Sequence, residues 1–435
     1  MKDLEYFEIY SHKRTRCRLC DSVKLEQIVR LRSTPPAEWF YTRERLELTR
    51  HFFPLEVFYC KSCSHIQSLD VLDSKILFEN YFYTSESSPG LSIHFENYTE
   101  EIIARCDLGE DSLIVDVGSN DGTFLHYLKL RNINGVGIEP SIQVANLANK
   151  RGVPTINGFL NAETVKQTLN SFGPADVVTA NNVFAHHDDL AQMVARVSEL
   201  VKPNGYFVFE VSSVGHLLQN RIFDYIYHEH LSHHSLRPLV QFLKKFDFTV
   251  VDVQTTKSKG GSLRVYSQKG TEVSKIKVSK EVDNVIKWES EIGVYDLARL
   301  RNFQAEIEGV ASEVSSYLEA NKTKRVIGYG ASATTTTLLY SFDLVKFLDI
   351  LVDDNPIRNG SFLPGSQLQV VSPESLRFPE TVELVFVCAW RHWREIVDKC
   401  LLLYPNAEIL IPLPLPHTIK STNGKLEKTM LTKGN

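Results

Sequence analysis

The sequence predicts an α/β protein in three parts: a small metal-held lobe, a doubly wound parallel sheet, and a second sheet of the same kind. Three observations predict it. Two C-x2-C pairs, Cys17/Cys20 and Cys60/Cys63, fall in the first 75 residues, where long hydrophobic periodicity is lacking. From Ser112 onward, apolar runs alternate with helical stretches: SLIVDVG, GVGIEP, PTINGF, ADVVTANNVF and KPNGYFVFEVS. A second alternation starts at Lys324 with RVIGYGASATTTTLLY and continues through DILVDDNP, VELVFVCAW and AEILIPLP.

Taken in order, residues 1–75 form the lobe and 76–275 the first sheet domain. Residues 276–419 form the second, joined by an amphipathic helical bridge over about 278–321. Residues 420–435 read as a loose polar tail. Within the first sheet domain the spacing predicts helices over 91–105, 123–130, 141–151 and 190–201. A closing strand, SLRVYSQ, follows an inserted helical stretch near 216–270.

With 435 residues the chain is too long for one ordinary core. A hydrophobic content of 43%, charged content of 23% and net charge of −5 fit a globular protein and give no reason to expect a nucleic-acid or anionic-membrane surface. The opening MKDLEYFEIY lacks a basic stretch followed by an apolar run, and no apolar run is long enough to span a bilayer. A cytoplasmic location is therefore expected. In that reducing setting the four paired cysteines point to metal, and Cys106, Cys388 and Cys400 to buried thiols.

Zinc suits the cysteine pairs. One turn of C-x2-C supplies two thiolates, and two such turns close a tetrahedron. A closed site has no open position, so Cys17, Cys20, Cys60 and Cys63 are expected to be structural ligands. His65 is an alternative for one of them.

The run DVGSNDG, from Asp116 to Gly122, ends a strand in Asp-x-Gly and opens a helix. Gly118 lets backbone approach a ligand beyond the carboxyl end of the strand. Glu139 ends the next strand about 20 residues on, where a carboxylate can accept from ribose hydroxyls. The turn is not G-x-G-x-x-G, and Asp121 would repel a pyrophosphate. A ligand with ribose and no phosphate fits better, and S-adenosylmethionine is one; a nicotinamide cofactor fits less well. Asp116, Gly118, Asn120, Glu139, Asn157, Phe159 and Asn182 are the candidate contacts to it.

Three further constellations carry polar chemistry. Tyr227-His228-Glu229-His230 puts imidazole and carboxylate side by side after the fifth strand, as general acid–base work requires; metal binding is the alternative. His186, in AHHDDL after the fourth strand, is a second candidate for that pocket. Gly260-Gly261-Ser262-Leu263-Arg264 could cradle an anion through backbone N–H and guanidinium, through Gly261, Ser262 and Arg264. Gly330, in the turn Gly328-Tyr329-Gly330, opens a helix that could hold phosphate, with Asp354 and Asn355 on the next strand.

This ordered set resembles the nucleotide-sugar C-methyltransferases, including deoxysugar 3-C-methyltransferases. The resemblance runs from CRLC to ILIPLP through the Tyr81-x-Tyr83-x-Ser85 loop, DVGSNDG, NNVFAH, YHEH, GGSLRVY, GYGAS and VDDNP. It implies a zinc lobe, a class I methyltransferase sheet and a second Rossmann-like domain. The implied activity is methyl transfer from S-adenosylmethionine to a carbon beside the ketone of a nucleoside-diphosphate sugar. By the same resemblance His230 is the general base, with Tyr227, Glu229, His186 and Tyr81 in the active site. Tyr83, Ser85 and His228 fall on the substrate side. Lys259 stands where the family pattern leads one to expect His, and ATTTTLLY departs from it after GYGAS. An O-methyltransferase acting on a sugar hydroxyl and a non-catalytic glycan-assembly protein are the competing readings.

Overall fold

In the lobe, alternation decides the strands. The segment FPLEVFYC turns Phe53, Leu55, Val57 and Tyr59 inward and leaves the intervening residues partly exposed. The computed structural model describes residues 11–78, 89–270, 277–422 and 425–431. Strands β1 (Ser11–Lys13), β2 (Leu25–Thr34), β3 (Phe53–Cys60), β4 (Ile66–Ser68) and β5 (Asp70–Leu72) build the lobe, with β1 and β5 paired apart as a two-stranded sheet.

The first large sheet holds β6 (Leu113–Val117), β7 (Asn134–Glu139), β8 (Thr155–Asn157), β9 (Ala175–Asn181) and β10 (Val201–Ser212). A two-residue strand follows, β11 (Ser232–His233), and then β12 (Phe248–Thr256) and β13 (Ser262–Lys269). The spatial order is β12-β13-β10-β9-β6-β7-β8. β6 to β10 run parallel, and β13 is antiparallel to both β10 and β12. The winding reverses between β6 and β9, so a crevice opens beyond their carboxyl ends. The central strand β6, LIVDV, is buried throughout, as a strand covered by helices on both faces must be. The expected helices appear as Pro89–Cys106, Thr123–Lys129, Ile142–Lys150 and Leu190–Leu200.

β11 does not join the large sheet. It pairs antiparallel with β4, giving the lobe a four-stranded sheet in the order β11-β4-β3-β2. The cysteine lobe and the first large sheet domain are thus stitched through the segment that follows YHEH.

The expected helical bridge is two helices, Lys280–Glu291 and Leu297–Ala320. The break falls at Gly293, whose φ of 83° is a left-handed turn, and the Asp296 side chain caps the second helix by accepting from the Ala298 N–H. The second sheet contains β14 (Val326–Tyr329), β15 (Ile350–Val352), β16 (Val370–Val371), β17 (Leu384–Val387), β18 (Glu408–Ile411), β19 (His417–Thr422) and β20 (Lys425–Met430). Its order is β16-β15-β14-β17-β18-β19-β20. Here the loose-tail expectation is corrected: β19 and β20 form a hairpin added to β18. Every residue of β20 is exposed, so its side chains give no apolar pattern to read; the backbone ladder alone makes it a strand. Among the described residues no helix is long and apolar enough to cross a membrane.

Candidate active site

The four lobe cysteines converge. Their sulfurs lie within 4.8 Å of one another, with Cys17 Sγ 3.6 Å from Cys63 Sγ and Cys20 Sγ 3.5 Å from Cys60 Sγ. Tetrahedral zinc with thiolate bonds near 2.3 Å sets its sulfurs about 3.8 Å apart, so the donor set fits that ion. His65 is not a ligand: it is buried, and its Nε2 lies 3.2 Å from Ser232 Oγ.

Arg18, between the first two ligands, is also buried. Its guanidinium donates to Gln67 Oε1, to the carbonyls of Ser68 and Leu231, and to Asp188. Burial lowers its pKa to about 10, opposed by Asp188. Leu231 directly follows His230, so the metal knuckle holds the YHEH turn from outside.

Beyond the ends of β6, β7 and β9 lies a cavity of about 590 Å³. One half is built by DVGSNDG. Gly118 sits at φ 69°, and a Cβ there would lie 2.4 Å from a Val183 methyl, so only glycine fits. Asn120, at φ 52°, donates its N–H to Glu139 Oε2, and Ser141 N–H donates to Oε1, each at 2.9 Å. Each oxygen of Glu139 therefore keeps acceptor capacity for a ribose. Asp116 is buried at the head of the cavity and accepts from Thr179 Oγ1 at 2.6 Å; burial pushes its carboxyl up to about 7. Asp121 accepts from Thr123 N and Oγ1 and faces Arg151 at 3.5 Å. A carboxylate already occupies the helix N-terminus where a dinucleotide would set its phosphates.

Phe159 and Asn182 line the cavity with Asp116, Gly118, Asn120 and Glu139. Asn157 is not among the lining residues: its side-chain amide donates to the carbonyls of Glu139 and Pro140. It braces the strand end instead.

The other half of the cavity is bounded by histidines. His186 and His228 line it, whereas Tyr227, Glu229 and His230 are not among the lining residues. His186 stacks on His230 at 5.2 Å between ring centroids, and Tyr227 lies against His230 at 4.0 Å. Two hydrogen bonds set this meeting: Leu231 and Ser232 N–H both donate to the Ala185 carbonyl, tying NNVFAH to YHEH. His230 Nδ1 lies 2.7 Å from the Tyr225 carbonyl, which can only accept. Nδ1 therefore carries the proton, and Nε2 of the neutral ring keeps a lone pair. Burial, with His186 next, holds His230 well below the ordinary 6.5. Burial also lowers His186 to about 3 and His228 to about 4, and raises Glu229 to about 8. His228 Nε2 donates to the Pro54 carbonyl at 3.2 Å. Tyr81, Tyr83 and Ser85 lie outside the described residues.

Two anion cradles read from sequence are not at the cavity, and the structure gives their residues other work. Arg264 is 2% exposed, pairs with Glu210 at 2.8 Å and Glu101 at 2.5 Å, and lies 3.6 Å over the Tyr98 ring. Its charge is spent inside the sheet. Gly261 is required by packing, since a Cβ would lie 2.3 Å from His216; the Ser262 hydroxyl donates to the Ser258 carbonyl.

At the second turn, Gly330 makes room for Ala389, whose Cβ a side chain there would meet at 2.4 Å. Asp354 takes the Tyr329 hydroxyl and Lys399, and Asn355 caps Ile357 N–H. The helix N-terminus is filled by Glu38 of the lobe, which accepts from Ala333 N at 3.2 Å and pairs with Arg358. Phosphate has no place left there.

Sequence reasoning missed the lobe's share of the wall. Ser74, Leu77 and Phe78, from the short helix Ser74–Phe78, face the same cavity, and Phe78 stacks on His186. No motif marks them; only the docking of the lobe brings them there.

The sheet order, the phosphate-free ribose site and the thiolate cluster define an S-adenosylmethionine-dependent methyltransferase with a zinc-binding lobe. Family models match in series: a zinc binding domain over residues 17–78, a methyltransferase domain over 94–253 and a C-methyltransferase C-terminal domain over 257–414. The three parts of the chain are thus each similar to one of these families, in that order. It is similar to C-methyltransferase NovU of Streptomyces niveus, 28% identical over 93% of this chain and 97% of that protein. Among solved structures it is similar to magnesium protoporphyrin IX methyltransferase of Synechocystis PCC 6803 with bound SAH, at 13% identity over 42% of this chain and 84% of that one, with a TM-score of 0.34. A methyltransferase chain in complex with the Haloferax volcanii Trm112 activator is 14% identical over 42% of this chain and 96% of that one, with a TM-score of 0.35.

Two outcomes follow from this geometry. Cys17→Ser should abolish the single zinc per chain and unfold the lobe, read by elemental analysis with circular dichroism; purified wild-type protein free of zinc would refute the site. Glu139→Ala should weaken S-adenosylmethionine binding by about 10- to 100-fold, the scale of one or two lost hydrogen bonds to a charged group. Calorimetry that found unchanged affinity would remove Glu139 from the ribose.

Proposed function

We propose that the chain methylates a carbon beside the ketone of a nucleoside-diphosphate keto-deoxysugar, with His230 as the general base. The observation that supports this most is the tautomer of His230. Its Nδ1–H is engaged by the Tyr225 carbonyl, and burial keeps the ring neutral, so Nε2 is ready to take a proton. A C–H bond yields to imidazole only if a neighbouring carbonyl accepts the charge, which is why a keto substrate is inferred.

When bound, S-adenosylmethionine supplies an electrophilic methyl group on sulfonium. The chain's own residues do the rest. Asp116, Gly118, Asn120, Glu139, Phe159 and Asn182 hold the donor. His186 packs flat on the base and fixes its plane. Tyr227 packs against the same ring, 4.0 Å between centroids. Glu229, protonated at neutral pH because burial raises it to about 8, adds no charge that would pull a proton onto the base. The family resemblance assigns Tyr81 to the catalytic group and Tyr83, Ser85 and His228 to substrate binding. Gly261, Ser262, Arg264, Gly330, Asp354 and Asn355 have no direct contact in this reading. The zinc supports the fold and takes no part in the chemistry.

A screen of 4-keto nucleotide sugars with isotopically labelled donor, followed by NMR of the product, tests the reading. A methyl group found on oxygen would overturn it. His230→Asn should lower turnover by about 10²- to 10⁴-fold with donor affinity retained, the usual share of a general base; near-normal turnover would assign the base elsewhere. The pH profile provides a separate check. The base works only when neutral, and its folded pKa is depressed by burial and by His186, His233 and Lys259. The active form is thus present above that pKa and lost as pH falls through it. The acid limb of kcat/KM should be centred below 6.5; a limb at or above that value would point to a different group.

A further inference from the structure

We infer that Lys259 is a catalytic residue whose ammonium takes up the negative charge formed on the carbonyl oxygen when His230 removes the neighbouring proton. The inference rests on the reaction proposed above and deepens it.

Lys259 lines the cavity together with His186 and His228, and it is the one lysine or arginine among the described residues that do so. The carboxylates Asp73, Asp116, Glu139, Asp188 and Asp189 line the same space. Among the described residues its ammonium makes no hydrogen bond and no ion pair, unlike Arg18, Arg264 and Arg391, each of which is bound to a carboxylate. Its side chain is exposed to the cavity, yet protein crowds the ammonium closely enough for burial to lower its pKa; Glu210 and Glu38 oppose that fall and favour the charged form.

The backbone that presents it is held in place. Lys259 sits at φ 52°, a left-handed conformation uncommon for a residue with a side chain. Three contacts keep the loop there: Gly261 N–H and the Ser262 hydroxyl both donate to the Ser258 carbonyl, and Ser213 N–H donates to the Gly261 carbonyl. Gly260 and Gly261 are pressed against Ile222 and His216, where side chains would collide at 2.8 and 2.3 Å. The glycine pair therefore aims the lysine.

Charge bookkeeping across the step explains the need for it. The C–H bond breaks and an N–H bond forms at His230 Nε2. The C–H electron pair becomes a carbon–carbon double bond, and the carbonyl π pair moves onto oxygen. One imidazolium and one oxyanion appear in place of two neutral groups. The stacked partner His186 is neutral and holds no countercharge. An imidazolium beside Lys259 is unfavourable unless the new negative charge lies between them, so the ammonium stabilises the oxyanion only in the geometry that the reaction needs.

The test uses the full-length zinc-containing protein and a nucleoside-diphosphate 4-keto-6-deoxyhexose that the screen above shows to be methylated. Two rates are read: exchange of the adjacent C–H with deuterium from solvent without donor, and methyl transfer with donor. Lys259→Gln should lower both by about 10²- to 10³-fold, the usual cost of losing one oxyanion partner, with donor affinity unchanged. Lys259→Arg should recover part of each. Lys259→Met, read the same way, covers a glutamine variant that fails to fold. A Lys259→Gln enzyme with full kcat and raised KM would overturn the inference and make the lysine an anchor for substrate phosphate. His230→Asn separates the two readings: exchange that persists in that variant defeats the proposed base, whereas exchange lost there and intact in Lys259→Gln defeats Lys259 alone.

Discussion

One buried guanidinium holds the molecule's parts in register. Arg18 sits inside the first cysteine pair, and its N–H groups reach Gln67 and Ser68 of the lobe sheet, Leu231 of the YHEH turn and Asp188 after the fourth parallel strand. A charge taken so far from water is tolerable only while its partners stay in place, and removing one of a buried set typically costs about 3–5 kcal/mol. The metal site fixes the backbone on either side of Arg18, Arg18 fixes Leu231, and Leu231 ties the YHEH turn to the strand end that carries His186. The metal site is thereby coupled to the cavity wall at Leu231 and Asp188. The pairing of β11 with β4 runs in parallel with this link and makes the lobe a working wall of the active site.

Much of this was legible in the chain. The two alternations gave both sheets, and the helices of the first domain fell within a residue or two of where period and caps put them. The donor half of the cavity was legible because its chemistry is local: Asp116 to Asn120 and Glu139 lie at consecutive strand ends, and a parallel sheet places such ends together. What stayed hidden depends on contacts between distant segments. Arg264 was read as an anion receptor because a Gly-Gly turn precedes it, yet Glu210 and Glu101, far away in sequence, claim its charge. Glu38 gave no sign that it would cap a helix nearly three hundred residues on. β20 carried no apolar stripe, and Gly293 interrupts a helical pattern that looks continuous.

The histidine cluster shows how far burial shapes reactivity here. His65, His186, His228, His230, His233 and His234 are all pushed below the ordinary imidazole value, with desolvation the largest cause in each. Their density in sequence suggests metal, but the structure gives them to stacking and hydrogen bonding: His234 stacks on Phe184, and His228 meets Phe53 edge-on. Among the described residues the one cluster that could hold a metal ion is the four thiols.

The stoppered helix end behind Gly330 has a further consequence. Both winding sheets would offer a phosphate seat at the start of their first helix, and the protein has plugged each with its own carboxylate, Asp121 in one and Glu38 in the other. Any phosphate-bearing ligand would then have to be gripped by side chains instead of by peptide dipoles. Such a grip is adjustable one residue at a time, so recognition of such a ligand could change while the methyl-donor site is left as it is.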